Sequence, residues 1–471
     1  MKNTRVTKNN LRNVVLTLTL TSVLQSCLLS SSSDKPYAAA PANGANSCAA
    51  RTMASANMSM DKDHLQNNDD LFEDVTNTNF AFRTNSENAN NQIADHDDTP
   101  TRQVRIHVGQ FKQRLLNRRT NKFHLPLLNN RSVNIILQDV KKYSDNNIVA
   151  TGRIDGDDLS DVTLVINNDV ITANVGETGT QESYEIRFSG NGIHTVKAVT
   201  DHSEDCLTVD GENAQNFLQP LNTEAAAEDV TALDAVPTID VLVAYTPAAL
   251  KNAGSLDAMK ALIQMGVADS NKAYQNSGVN LALRLVGTMA LAQSENSFSS
   301  DLSALKGTSD GKWDTVHAER KKVGADLVSL VAYYANSSTA GIGFVGSSFS
   351  SGFSITKTTA FKQFSFTHEL GHNIGLNHTD GYQNASGKFR TVMAYGTYTR
   401  IPRFSNPGVD YNSYATGTSS NNSAKLLNTN GAKVAGFSSS VVQSETPTTS
   451  DPIPDPTEPC TDTDTPPIAS E

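Results

Sequence analysis

Residues 368–378 read HELGHNIGLNH, and no other run constrains the local fold as tightly. The 471-residue chain has ten histidines, and His368, His372 and His378 fall within this one run. Histidines four apart share a helix face, so His368 and His372 call for a helix here. Glu369 lies about 100° further round, beside that face. Gly375 tolerates the left-handed conformation in which a helix ends and the chain swings back. After such a turn His378 can meet the other two imidazoles around one metal ion. Three neutral nitrogens leave a fourth position open, which separates a catalytic zinc site from a closed structural one. A lone histidine is usually a satisfied core residue, and a bare HExxH is common in helices. Three histidines at ligand spacing are neither.

The segment TVMAYG, residues 391–396, follows shortly after. HExxHxxGxxH followed by a methionine turn resembles the metzincin clan of zinc endopeptidases. The resemblance implies Zn2+ held by His368, His372 and His378, with Glu369 as general base and Met393 beneath the metal. It also implies an α+β fold, a metzincin-type zincin domain with a twisted mixed sheet and an active-site helix. The segments IDVLVAYTPAAL (239–250) and RIPRFSNPG (400–408) are similar to bacterial members of the adamalysin/reprolysin group, including the peptidyl-Asp metalloendopeptidases. The resemblance covers about residues 237–440. Animal relatives usually carry disulfides there, whereas this stretch has no cysteine. Tyr395 stands two residues after Met393. In astacins and serralysins a tyrosine at that spacing binds zinc or supports the oxyanion; the alternative is a buried structural tyrosine.

Six segments are expected: an export signal with lipobox (1–27), a disordered polar spacer (28–102), a β-rich propeptide-like domain (103–209), a linker (210–236), the catalytic domain (237–440) and a Pro/Thr/Asp-rich tail (441–471). Lys2, Arg5, Lys8 and Arg12 precede the apolar run VVLTLTLTSVL (14–24), as in an export signal. LQSC, ending at Cys27, resembles a bacterial lipobox, so a cell-envelope lipoprotein is expected ahead of free secretion. A net charge of −11 argues against nucleic acid as a partner. No run of eighteen apolar residues occurs, so no ordinary membrane span is expected. The expected partners are protein or peptide substrates, met by a monomer.

Strands read at 132–140, 147–154, 161–166, 170–175, 183–189 and 192–199 make an antiparallel domain, separated by turn signals such as NND and GNG. Ahead of a metzincin, such a domain resembles a propeptide. In the catalytic part, Ser255 caps a helix whose stripe is Met259, Leu262, Ile263, Val267 and Tyr274. GIGFV (341–345) stands where metzincins have an edge strand, which can pair with an extended substrate. The active-site helix is expected from Phe361 to Ile374. Arg400 and Arg403 follow the methionine turn and can favour an acidic residue after the scissile bond, unless both face solvent. With Cys27 set aside, Cys48, Cys206 and Cys460 remain, an odd number. Cys206 can ligate zinc in a latent precursor, pair with Cys48 or Cys460, or stand as an inert thiol; the last two are the plainer expectation. The function expected is zinc-dependent endopeptidase, made as a zymogen, with Glu369 assisting attack of water. A catalytically idle zinc-binding surface protein or adhesin, and a zinc hydrolase of non-peptide substrates, are the alternatives.

Overall fold

The computed structural model describes residues 71–75, 100–117, 121–128, 131–180, 182–200, Cys206, 236–441 and the backbone of 448–449. The expected export signal, the Cys27 lipid site and nearly all of the linker lie outside the described residues.

The first part is an antiparallel sheet. Its strands are β1 (Phe72–Asp74), β2 (Thr101–Ile106), β3 (Lys122–Pro126), β4 (Ser132–Ser144), β5 (Asn147–Ile154), β6 (Asp157–Asn167), β7 (Val170–Gly176), β8 (Glu182–Gly190) and β9 (Ile193–Thr200). They run in the order β1-β2-β9-β8-β7-β6-β5-β4, with β3 also on β4. Asn168 and Asn191 take positive φ (51° and 52°) in the turns after β6 and β8, where NND and GNG signalled them. Helix α1 (Val108–Leu116), not expected from the sequence, buries Val108, Phe111 and Leu115 against the sheet. Phe111 stacks on Phe123 at 4.9 Å.

Two expected boundaries need correction. Residues 72–74 belong to the reading of 28–102 as disordered spacer, yet they pair with β2, and Leu71 and Phe72 enter the core. Thr448–Thr449 lie in the expected tail, yet they pair with Lys142 and Lys141 of β4.

The second part carries a mixed sheet of β10 (Thr238–Tyr245), β11 (Ala282–Ala290), β12 (Leu327–Ala332), β13 (Gly341–Gly343) and β14 (Phe353–Lys357). The order is β11-β10-β12-β14-β13, parallel throughout except for the edge pair β13/β14. β10 is buried from Ile239 onward, as a central parallel strand must be. Helices α2 (Pro247–Ala253), α3 (Leu256–Asn276), α4 (Phe298–Lys306), α5 (Thr315–Val323), α6 (Ser365–Asn373) and α7 (Ser423–Val434) surround the sheet. The helix expected from Phe361 is interrupted. Phe364 takes a left-handed φ of 57°, so a short 3-10 turn (Thr358–Gln363) ends there and α6 starts afresh.

Helix α3 is the seam between the two parts. The Ser255 hydroxyl accepts from Ala258 N at 3.0 Å, and the whole expected stripe is buried. Its other face is buried too, because β6 and β7 cover it. Val149, Val165 and Val170 of the β domain share one core cluster with Met259 and Leu262. Polar groups register the contact: Asn147 donates to Gln264 at 2.8 Å, Asn174 donates to Asp269 at 2.9 Å, and Lys272 pairs with Asp161.

Two carboxylates therefore meet one ammonium in a buried place. Burial first, then the Asp161 charge, pushes Asp269 up to about 7, while Lys272, Thr163 and Asn174 oppose the shift. A pKa raised above the unfolded value means stability that is full below about pH 4 and lost as pH rises through about 7. Asp269→Asn keeps the shape without the charge. It should raise the melting temperature at pH 8 by a few degrees and change it little at pH 5. Equal shifts at both pH values would show that Asp269 is not the titrating group.

Candidate active site

Helix α6 carries His368, Glu369 and His372, all buried. Gly375 follows with φ of +102°, the left-handed turn that the sequence calls for, and brings His378 back to the helix. The three Nε2 atoms lie 3.0–3.1 Å apart. His368 Nδ1 donates to Val392 O at 2.8 Å, and His372 Nδ1 donates to Leu376 O at 2.7 Å. With the protons fixed on Nδ1, the Nε2 lone pairs of these two rings face inward and cannot bond to each other. Burial is the leading cause that pushes His368 well below its ordinary value, His372 down to about 4 and His378 down to about 3. Neutral imidazoles turned toward one point fit a cation. Tetrahedral ligands at 2.0–2.1 Å from zinc would stand about 3.3 Å apart, close to the spacing seen.

Cys206 completes the set. It is buried, and its sulfur lies with the three imidazole nitrogens inside a cluster no more than 4.8 Å across. Its Sγ is 3.4 Å from Glu369 Oε2 and 3.8 Å from His372 Nε2. Tyr395 donates its hydroxyl to Cys206 O at 2.9 Å and lays its ring 3.9 Å from His378. Burial pushes Glu369 up to about 8, against the Cys206 hydrogen bond and the Arg400 charge, which lower it. Glu369 Oε1 is buried with no hydrogen-bond partner among the described residues.

Packing sets these positions. Met393 is fully buried, and a Cβ on Gly371 would lie 2.6 Å from its sulfur, so the glycine lets the helix and the methionine side chain pack closely there. A Cβ on Gly341 of β13 would come within 2.5 Å of Glu369 Oε1, so the edge strand lies directly against the carboxylate. Sequence reasoning passed over two further residues. Asn373 donates to Phe344 O at 3.0 Å and Phe353 O at 2.9 Å, fastening α6 to the edge of the sheet. Arg390 is buried and donates to Ala394 O and Tyr398 O, both at 2.9 Å, holding the loop that carries Tyr395. An arginine in TVMAYG's flank reads as surface charge, so no local signal marks it.

Of the two arginines singled out by sequence, the structure separates the roles. The Arg400 charge acts on all three histidines and on Glu369. Arg403 instead lies over the Tyr411 ring at 4.9 Å. Neither faces open solvent, since both are at least nine-tenths buried.

An HExxH helix beneath a mixed sheet, a third histidine past a glycine turn and a methionine turn below define a zincin-like α+β metallopeptidase. Residues 235–423 match the family model of reprolysin-like metallopeptidases of family M12B. A peptidyl-Asp metalloendopeptidase of Stenotrophomonas maltophilia (strain K279a) is 33% identical over 328 residues, 62% of this chain and 74% of that protein. One from Xanthomonas campestris pv. campestris is 31% identical over 314 residues, 60% and 70% respectively. The chain belongs to the bacterial reprolysin-like metallopeptidases, and it is a metalloendopeptidase acting on protein or peptide substrates through a catalytic metal.

Proposed function

We propose that this chain is a zinc-dependent endopeptidase made as a zymogen, with His368, His372 and His378 as ligands and Glu369 as general base. The observation that carries the reading is the convergence of three Nε2 atoms and the Cys206 sulfur on one point. Bound zinc would acidify water and polarise the substrate carbonyl there near neutral pH. Glu369 takes the proton from the attacking water and returns it to the leaving amine. Tyr395 donates to the substrate carbonyl oxygen as it does here to Cys206 O. A catalytically idle zinc-binding adhesin has no use for a carboxylate this deeply buried beside the ligands.

In the precursor the same sulfur obstructs both functions. As thiolate it would be a fourth ligand for a metal held by the three histidines, and it sits against the Glu369 carboxylate, the nearest acceptor for its proton. The β domain is then the propeptide that brings Cys206 into the cleft. Export and a lipid anchor at Cys27 remain part of this reading, supported by the basic and apolar N-terminal composition.

The relatives' name points to aspartate, and Arg400 supplies a matching cation beside the reacting centre. An acidic residue after the scissile bond is the preferred substrate. Casein digestion by the processed enzyme tests the reading. Digestion should stop with a chelator and resume with zinc, and the new N-termini should be enriched in Asp or Glu. Digestion indifferent to chelation overturns the metal, and unenriched termini overturn the acid preference.

A further inference from the structure

Lys362 lies six residues ahead of His368, on the 3-10 turn that feeds α6, and is only 6% exposed. A buried ammonium is costly unless acceptors or opposite charge surround it. Its Nζ donates to Val199 O of β9 at 3.2 Å, so the β domain supplies one of its acceptors. Val199 is seven residues before Cys206, on the stretch of chain that leads to the metal site. Lys362 and Arg400 line the same cleft, and Arg400 ties their two segments together by donating to Gln363 O at 2.8 Å. The β domain also lines that cleft with Asp161, which pairs with Lys272, and with Glu177 and Glu182, which both lie against Arg131. The cationic wall belongs to the catalytic domain.

We propose that Lys362 is a second acid-recognition residue of the processed enzyme, forming with Arg400 the wall that receives the substrate carboxylate side chain. This rests on the acid preference proposed above. Arg400 offers a planar fork suited to two carboxylate oxygens, while Lys362 adds a point charge on the same wall. Removal of the β domain takes away the Val199 carbonyl that accepts from Lys362 and opens the cleft that Lys362 and Arg400 line. A neutral substrate side chain brings no charge to that cleft, whereas a carboxylate answers both cations in a site of low dielectric. The intact chain thus covers this wall with its own β domain, through the Val199 carbonyl on Lys362.

The test measures kcat and KM for paired peptides with Asp or Asn after the scissile bond. The enzyme is matured from the full-length chain as wild type, Lys362→Met and Lys362→Arg. Lys362→Met should cut the Asp-over-Asn ratio of kcat/KM roughly ten- to hundredfold, mostly through KM of the Asp peptide. Lys362→Arg should restore most of that ratio, which a merely structural lysine would not require. Should Lys362→Met fail to mature, Lys362→Gln, which keeps a donor on a similar stem, carries the same comparison. A Lys362 variant that keeps the wild-type ratio overturns the inference while the acid preference stands. A wild type with no preference for Asp overturns the preference itself.

Discussion

Replacing Glu369 by Gln is expected to lower kcat of the processed enzyme by about 10²–10⁴-fold while metal content stays at the wild-type level. The expectation rests on shape. Glutamine has the same volume and branch point, so it fits the tight space between α6 and β13 that excludes a Cβ at Gly341. His368 and His372 keep their partners, because they are held by the Val392 and Leu376 carbonyls and not by Glu369. What is lost is a group able to accept a proton and give it back. Glu369 is fully buried and its Oε1 has no hydrogen-bond partner among the described residues, so exchanging the carboxylate for a neutral amide of the same shape should not lower stability. The measurement is kcat and KM on one peptide, with zinc counted per chain and melting temperature compared. A Gln variant within threefold of wild type sinks the assignment. A variant that loses its zinc shows instead that Glu369 holds the site together.

The reacting centre was legible because its chemistry fixes spacing within eleven consecutive residues. Ligands on one helical turn, a glycine to reverse the chain and a methionine turn leave little freedom. The apolar stripe of α3 was legible for the same local reason. Its second buried face was not, because Gln264, Asp269 and Lys272 are polar residues whose partners Asn147, Asn174 and Asp161 lie about a hundred positions earlier. Helix α1 shows Val108, Phe111 and Leu115 at helical spacing, yet it is short and carries basic residues among them. Phe72–Asp74 exists as a strand only because β2 pairs with it, which no three-residue window reveals. The break before α6 needs Phe364 in a left-handed conformation that bulky residues seldom adopt, so no glycine announces it. Lys362 and Arg390 read as surface charge until the β domain and the methionine-turn loop enclose them. Cys206 is the strongest case. Its sequence neighbourhood fitted a disulfide or an idle thiol better, and only the tertiary path of the β domain brings its sulfur among the histidines.

Cys206→Ala in the full-length precursor is expected to convert a latent chain into an active one, raising hydrolysis of a short peptide at least tenfold before any processing. The sulfur lies within 4.8 Å of all three Nε2 atoms and 3.4 Å from the Glu369 carboxylate, so as a ligand it would obstruct the metal and the base at once. Alanine reaches neither. The Tyr395 hydroxyl still has the backbone carbonyl of residue 206 to hold, so the segment need not leave the cleft, and a small substrate is the sensitive probe. A cobalt-substituted precursor adds a readout independent of turnover. Thiolate ligation produces charge-transfer absorption in the near ultraviolet, which the alanine variant should lack. The two readouts separate the mechanisms. If both precursors are equally latent and the cobalt spectra match, Cys206 is not a ligand and the β domain blocks the cleft by its bulk over α3 and the Lys362–Arg400 wall. If the spectra differ while latency persists, the thiolate binds the metal but the covering domain is sufficient on its own. Activation by the alanine change alone means that one sulfur, delivered by the end of the β domain, holds the enzyme silent.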